Sequence, residues 1–115
     1  MKFFGTYGCN VDDNEYNVAI EASCSTKALN WCHESAVEER ESYEGLHGIR
    51  SFEQIAEDEG YINPEEMSPD EGLVIGELYE EEIESDIYYN IVPFDDKNEE
   101  HMRVLREQEG EFWEV

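Results

Sequence analysis

Carboxylates dominate any search of this 115-residue chain for reactive groups, with 24 Glu and 7 Asp against 7 Lys plus Arg, for a net charge of −24. At that density pairs of carboxylates arise at every spacing by chance, so no Asp/Glu pair stands out as a general acid and base. Cys32 and His33 could in principle supply a nucleophile and its base. They are neighbours on a predicted helix, where adjacent side chains diverge by about 100° and do not face each other. Gly45-Leu46-His47-Gly48 lacks the Lys-Ser/Thr ending of a phosphate-binding loop. Cys24, Cys32 and His33 do not follow the paired short spacings of structural zinc sites. Asp96-x-Asn98-x-Glu100 imitates the first ligands of a calcium loop, but His101 stands where that loop needs Gly. His47 and His101 have no evident charged partner and read as ordinary polar residues. A non-enzymatic protein without cofactor or metal is expected.

The arrangement of the acids is more informative than any pair of them. On the helix predicted from Pro69, Ile75, Tyr79 and Ile83 make an inward stripe, while Glu77, Glu80, Glu81 and Glu84 lie opposite at i, i+3, i+4 and i+7. At 1.5 Å rise per residue these four charges occupy about 10 Å, or one per ~3 Å. One DNA strand presents a phosphate every ~3.4 Å. Glu34, Glu38 and Glu41 repeat the pattern on an earlier helix, and Trp31 falls beside that stripe as a candidate aromatic anchor. Like charges at i,i+4 cost a few tenths of a kcal/mol each, and solubility needs a net charge of only about 2–8. A value of −24 calls for a further cause. Two present themselves: binding to a cationic site, or adaptation to high salt. Glu outnumbers Asp 24 to 7, whereas salt-adapted surfaces lean on both.

These stripes need a fold to hold them. Residues 2–9 and 16–22 read as a hairpin, with Tyr16, Val18, Ile20 and Ala22 on one face and Asp12-Asp13-Asn14 in the turn. Ser25 is placed to cap a helix running to about Tyr43, with Leu29, Cys32, Ala36 and Tyr43 inward and Gly45 at its end. Ser51-Phe52-Glu53-Gln54 is a capping-box pattern opening a short helix that Gly60 closes. Ser68-Pro69-Asp70-Glu71 starts a longer one, predicted to reach Glu84 although Gly72 and Gly76 weaken it. Residues 87–94 read as a strand, Asp95-Asp96-Lys97-Asn98 as a turn, 99–109 as a short helix and 111–115 as a last strand.

The predicted fold is therefore a single α+β domain over residues 1–115, an antiparallel sheet of about four strands with two to four helices packed on one face. Leu, Ile, Val and Phe total 25 of 115 residues, just above the roughly 20% below which highly charged chains stay disordered. No stretch approaches the ~20 apolar residues of a membrane span, and the first residues lack the apolar region of a signal peptide. A cytoplasmic protein is expected, with no membrane contact and its three cysteines reduced.

In character the chain resembles phage-encoded DNA-mimic inhibitors: antirestriction proteins, acidic anti-CRISPR proteins and uracil-DNA glycosylase inhibitors. Pro69-Asp70-Glu71-Gly72-Leu73-Val74-Ile75-Gly76, followed by Glu84-Ser85-Asp86-Ile87 opening a strand, is similar to the glycosylase inhibitors' Pro-acid-acid…Val-Ile-Gly…Glu-Ser-Asp-Ile stretch. The resemblance covers about 20 of the 115 residues, with gaps of different lengths. It implies that Glu71 matches an acid used against the enzyme's DNA-binding groove. The family's Gln-Glu-Ser strand and the apolar pocket beside it have no counterpart, and the N-terminal hairpin and first helix are extra. The expected function is occupancy of a cationic nucleic-acid-binding groove in a nuclease, Cas effector, restriction enzyme or glycosylase. The chain itself is not expected to bind nucleic acid. The alternative is a salt-adapted or accessory protein whose acidity is environmental.

Overall fold

A computed structural model describes residues 1–11, 14–61 and 63–115. Along the chain come β1 (Lys2–Cys9), β2 (Tyr16–Glu21), α1 (Ser25–Glu41), α2 (Phe52–Asp58), α3 (Pro69–Asp86), β3 (Ile87–Pro93), α4 (Glu99–Glu107) and β4 (Trp113–Glu114), with a 3-10 turn at Pro64–Glu66. The four strands lie in the order β3-β1-β2-β4. Both neighbours of β1 are antiparallel to it, whereas β4 joins β2 in parallel. The α+β class holds, and the sheet is mixed only at that short edge. Asp12 and Asp13 of the predicted turn lie outside the described residues.

Alternation along β1 divides the core. Phe3 joins Ile20, Ala22, Ala28 and Cys32 in one buried cluster, with Tyr7, Val18, Trp31, Tyr89 and Ile91 around it. This face receives α1, whose buried residues Ala28, Cys32, Ala36 and Arg40 recur every fourth position. Gly5 permits that approach, because a Cβ there would sit 2.7 Å from Cys32 Sγ. The opposite face carries Phe4, on which the His101 ring of α4 stacks at 4.1 Å. Gln108, just past α4, completes the edge of β2: its Oε1 accepts from Ala19 N–H at 2.7 Å and its Nε2 donates to Ala19 O at 3.0 Å. Helices thus flank both faces, which corrects the expectation of one. His101, its hydrophilic ring held between Phe4 and Phe94, could not be placed inside from its residue type alone.

Helix starts follow local chemistry closely. Ser51 and Ser68 each form a full capping box, with Gln54 and Glu71 respectively, and Pro69 occupies the first turn of α3. Cys24, not Ser25, is the capping position of α1, and its side chain makes no capping hydrogen bond. Asn98 caps α4 by accepting from Glu100 and His101 N–H.

A second cluster lies away from the sheet, where Ile55 and Ala56 of α2 pack on Ile75 of α3, surrounded by Phe52, Tyr61, Met67, Leu78 and Tyr79. The molecule measures 54 × 28 × 19 Å, with a radius of gyration of 17.6 Å. A compact chain of this length would have about 13 Å. The core is divided between two small clusters, one between the sheet and α1 and the other between α2 and α3, as the long shape requires. Among the described residues no helix is long and apolar enough to cross a membrane.

Candidate functional site

From Glu77 to Glu84 the outward side of α3 is acidic. Glu77, Glu80, Glu81 and Glu84 are all exposed and line one shallow concavity open to solvent. Ile75 is buried on the other side, with Tyr79 and Ile83 half-buried beside it, as the 3.6-residue period requires. The helix contains no Lys or Arg. Glu82, in the middle of the acidic run, points elsewhere: its Oε1 accepts from Arg50 Nε at 3.0 Å and again from Arg50 Nη2. Arg50 also holds Asp58 at 2.7 Å. This cation therefore engages Glu82 and Asp58 and leaves Glu77, Glu80 and Glu81 without an arginine partner.

Glu34, Glu38 and Glu41 are likewise exposed, opposite the buried stripe of α1. Lys27 falls in the same angular sector two turns earlier, so this second face is less uniform than that of α3. Trp31 is half-buried. Its ring meets Tyr7 edge-on at 5.7 Å and Trp113 at 6.4 Å, and it packs against the sheet cluster. Most of its surface is therefore spent within the fold, and the more exposed indole is Trp113.

Where α1 and α3 meet, a polar junction links the two acidic faces. His33 Nε2 lies 2.5 Å from Glu84 Oε1, and Tyr89 donates to Glu84 Oε2 at 3.2 Å. Burial and the neighbouring Glu84 raise the Tyr89 pKa, so that hydroxyl keeps its proton for the bond. Arg40 is fully buried and holds Asp86 at 3.1 Å, Glu44 at 3.4 Å and the Arg50 carbonyl at 3.4 Å. Its guanidinium also sits 5.6 Å from the Tyr79 ring centroid. Tyr79 in turn donates to Glu44, and burial together with that bond pushes its pKa up to about 12. Sequence reasoning missed this cluster. Arg40 continues the i,i+4 series of Ala28, Cys32 and Ala36, but a charged residue in an apolar stripe reads as its edge.

Cys32 and His33 are not assembled as a nucleophile and its base. Cys32 is buried against Gly5, and burial pushes its thiol pKa up to about 11, so the reactive thiolate is suppressed. His33, its sequence neighbour, is turned to Glu84 instead. Among the described residues no three His, Cys, Asp or Glu side chains are grouped to hold a metal ion. A thiol-specific disulfide reagent should modify one of the three cysteines rapidly in the native protein, the exposed Cys24, and all three in denaturant. Rapid native modification of Cys32 would contradict its placement between α1 and the sheet.

No family model, curated protein or solved structure matches this chain. Glu71, the acid to which the glycosylase-inhibitor resemblance assigns a role, accepts from Ser68 N–H at 3.2 Å in the capping box. The Ser68 bonds, and then the Tyr61 hydroxyl, lower its pKa. Glu84-Ser85-Asp86 is the last turn of α3, and the strand begins only at Ile87.

Proposed function

We propose that this protein inhibits a nucleic-acid-binding protein by filling its cationic groove, with Glu77, Glu80, Glu81 and Glu84 on α3 and Glu34, Glu38 and Glu41 on α1 standing in for phosphates. The single observation that carries this reading is the cation-free outer face of α3, where four exposed carboxylates share one concavity. The scale is consistent with it. A net charge of −24 along 54 Å is one charge per ~2.3 Å, between the ~1.7 Å of duplex DNA and the ~3.4 Å of one strand. Counterion release and electrostatic steering would then drive a competitive association without catalysis. The target class is a nuclease, Cas effector, restriction enzyme or glycosylase in the cytoplasm, that of the host if the chain is phage-encoded.

The test is competition. Proteins captured from a host lysate by the intact chain are purified and titrated with it in the presence and absence of duplex or guide strand. The expected result is displacement by nucleic acid and a steep fall in affinity with salt. A captured protein that binds this chain and nucleic acid simultaneously, with affinity flat in salt, would refute the reading. The rival, environmental acidity, makes a different prediction about folding. Circular dichroism should show the full fold in ~0.1 M salt; cooperative folding only above 1–2 M KCl, where the Debye length is ~3 Å or less, would favour salt adaptation.

A further inference from the structure

Leu73 and Val74 are 68% and 58% exposed on the first turns of α3. Their helix already buries its apolar side against α2 through Ile75, with Leu78 and Tyr79 beside it. The exposed pair is therefore surplus to that core. At 100° per residue Leu73 shares the sector of Glu77, Glu80 and Glu84, and Val74 that of Glu77 and Glu81. The outer face of α3 is thus continuous, apolar at its N-terminal end and acidic for the two turns that follow. From residue 73 to 84 it runs about 16 Å.

Gly72 and Gly76 flank this pair. A glycine inside a helix weakens it relative to alanine, and is retained where another backbone must come close. Here a Cβ at either position would meet nothing within 4 Å. Among the described residues no close approach within the chain accounts for either glycine. Gly76 falls about 60° from Leu73 around the helix, so the backbone beside that exposed side chain is open to close contact from outside.

We propose that Leu73 and Val74, with the uncrowded backbone at Gly76 beside Leu73, form the apolar anchor of the inhibitory face and enter an apolar pocket beside the target's cationic groove. The inference rests on the reading above and adds to it the source of specificity, since charge alone discriminates poorly between basic proteins. Charge complementarity selects the occupant. The adjoining Glu77, Glu80, Glu81 and Glu84 would repel a second copy of a chain carrying −24, and equally an anionic lipid surface. A basic protein surface meets both halves of the face.

The probe is the purified nucleic-acid-binding protein that the wild-type chain captures and a Glu77→Lys/Glu80→Lys/Glu81→Lys variant does not. Leu73→Ser/Val74→Ser is expected to weaken its binding by about 30-fold while the slope of log K against log salt stays unchanged, because no charge is removed. Gly76→Ala is expected to raise the melting temperature and yet weaken binding, separating a contact role from a folding role. Binding by Leu73→Ser/Val74→Ser within twofold of wild type, with melting unchanged, would overturn the anchor and leave the mimic reading standing. Sedimentation showing a wild-type dimer that this variant converts to monomer would overturn it in favour of self-association. If the wild-type chain captures no protein that the charge-reversed variant loses, the mimic reading falls, and the anchor with it.

Discussion

Reversing Glu77, Glu80 and Glu81 to Lys should weaken the complex with the target by about four orders of magnitude, taking three close charge pairs at roughly 2 kcal/mol each. The fold should survive, because all three side chains are exposed and lie opposite the Ile75 side of α3. Glu84 belongs to the same face but is better left in place. It holds His33 and Tyr89, so its reversal would disturb the junction with α1 as well as the surface. Glu111 and Glu114 changed to Lys are the control, since they lie near β4 and around a different concavity with Glu21 and Phe112. Equal losses from the two sets would mean that net charge alone does the binding. No loss from the α3 set, in a variant with a normal melting curve, would remove this helix from the interface and turn attention to Glu34, Glu38 and Glu41.

The second large effect concerns stability. Arg40→Met should destabilise the protein by about 3 kcal/mol, lowering the melting temperature by roughly 12 °C. The side chain is completely buried, whereas Glu44 and Asp86 remain partly exposed at 22% and 31%. Loss of the guanidinium would strand two carboxylates, but each could recover some hydration, which places the cost near the lower end for a broken buried pair. Arg103→Met on α4 provides the comparison. Arg103 is 53% exposed and pairs with Glu107 at 2.9 Å, an arrangement worth about 0.5 kcal/mol or less. A thermal shift for Arg40→Met no larger than that for Arg103→Met would mean that the ionic junction between the two cores contributes little.

Much of the candidate site's geometry was legible in the sequence. Helical angle alone separated Glu77, Glu80, Glu81 and Glu84 from Ile75, and the structure leaves all four exposed. Angle did not reveal which acids are already engaged. Glu84 bonds to residues 51 positions earlier and five later, and Glu82 to an arginine 32 positions earlier. Trp31 illustrates the converse. Its position beside an acidic stripe suggested an anchor, but Tyr7 and Trp113, one from each end of the chain, cover much of it. Leu73 and Val74 had read as part of a local motif; their exposure became informative only once α2 was seen to cover the other side of α3.

The sequence by itself determined what depends on near neighbours: the existence of β1, β2 and β3, the capping boxes at Ser51 and Ser68, and the outward direction of the acidic stripes. Backbone hydrogen bonding and side-chain period act over a few residues, so residue types are enough to specify them. Tertiary structure alone decided that α4 packs behind the sheet, that Gln108 completes the β2 edge, and that Arg40 is buried between Asp86 and Glu44. Each of these joins groups far apart in the chain, and a polar residue becomes an inside residue only when its partners arrive to satisfy it. The seven cations show the consequence most clearly. Composition set how few there are, but tertiary packing decided that Arg40 is buried against Asp86 and Glu44 and that Arg50 is held by Glu82 and Asp58, leaving no Arg beside Glu77, Glu80 and Glu81 on the outer face of α3.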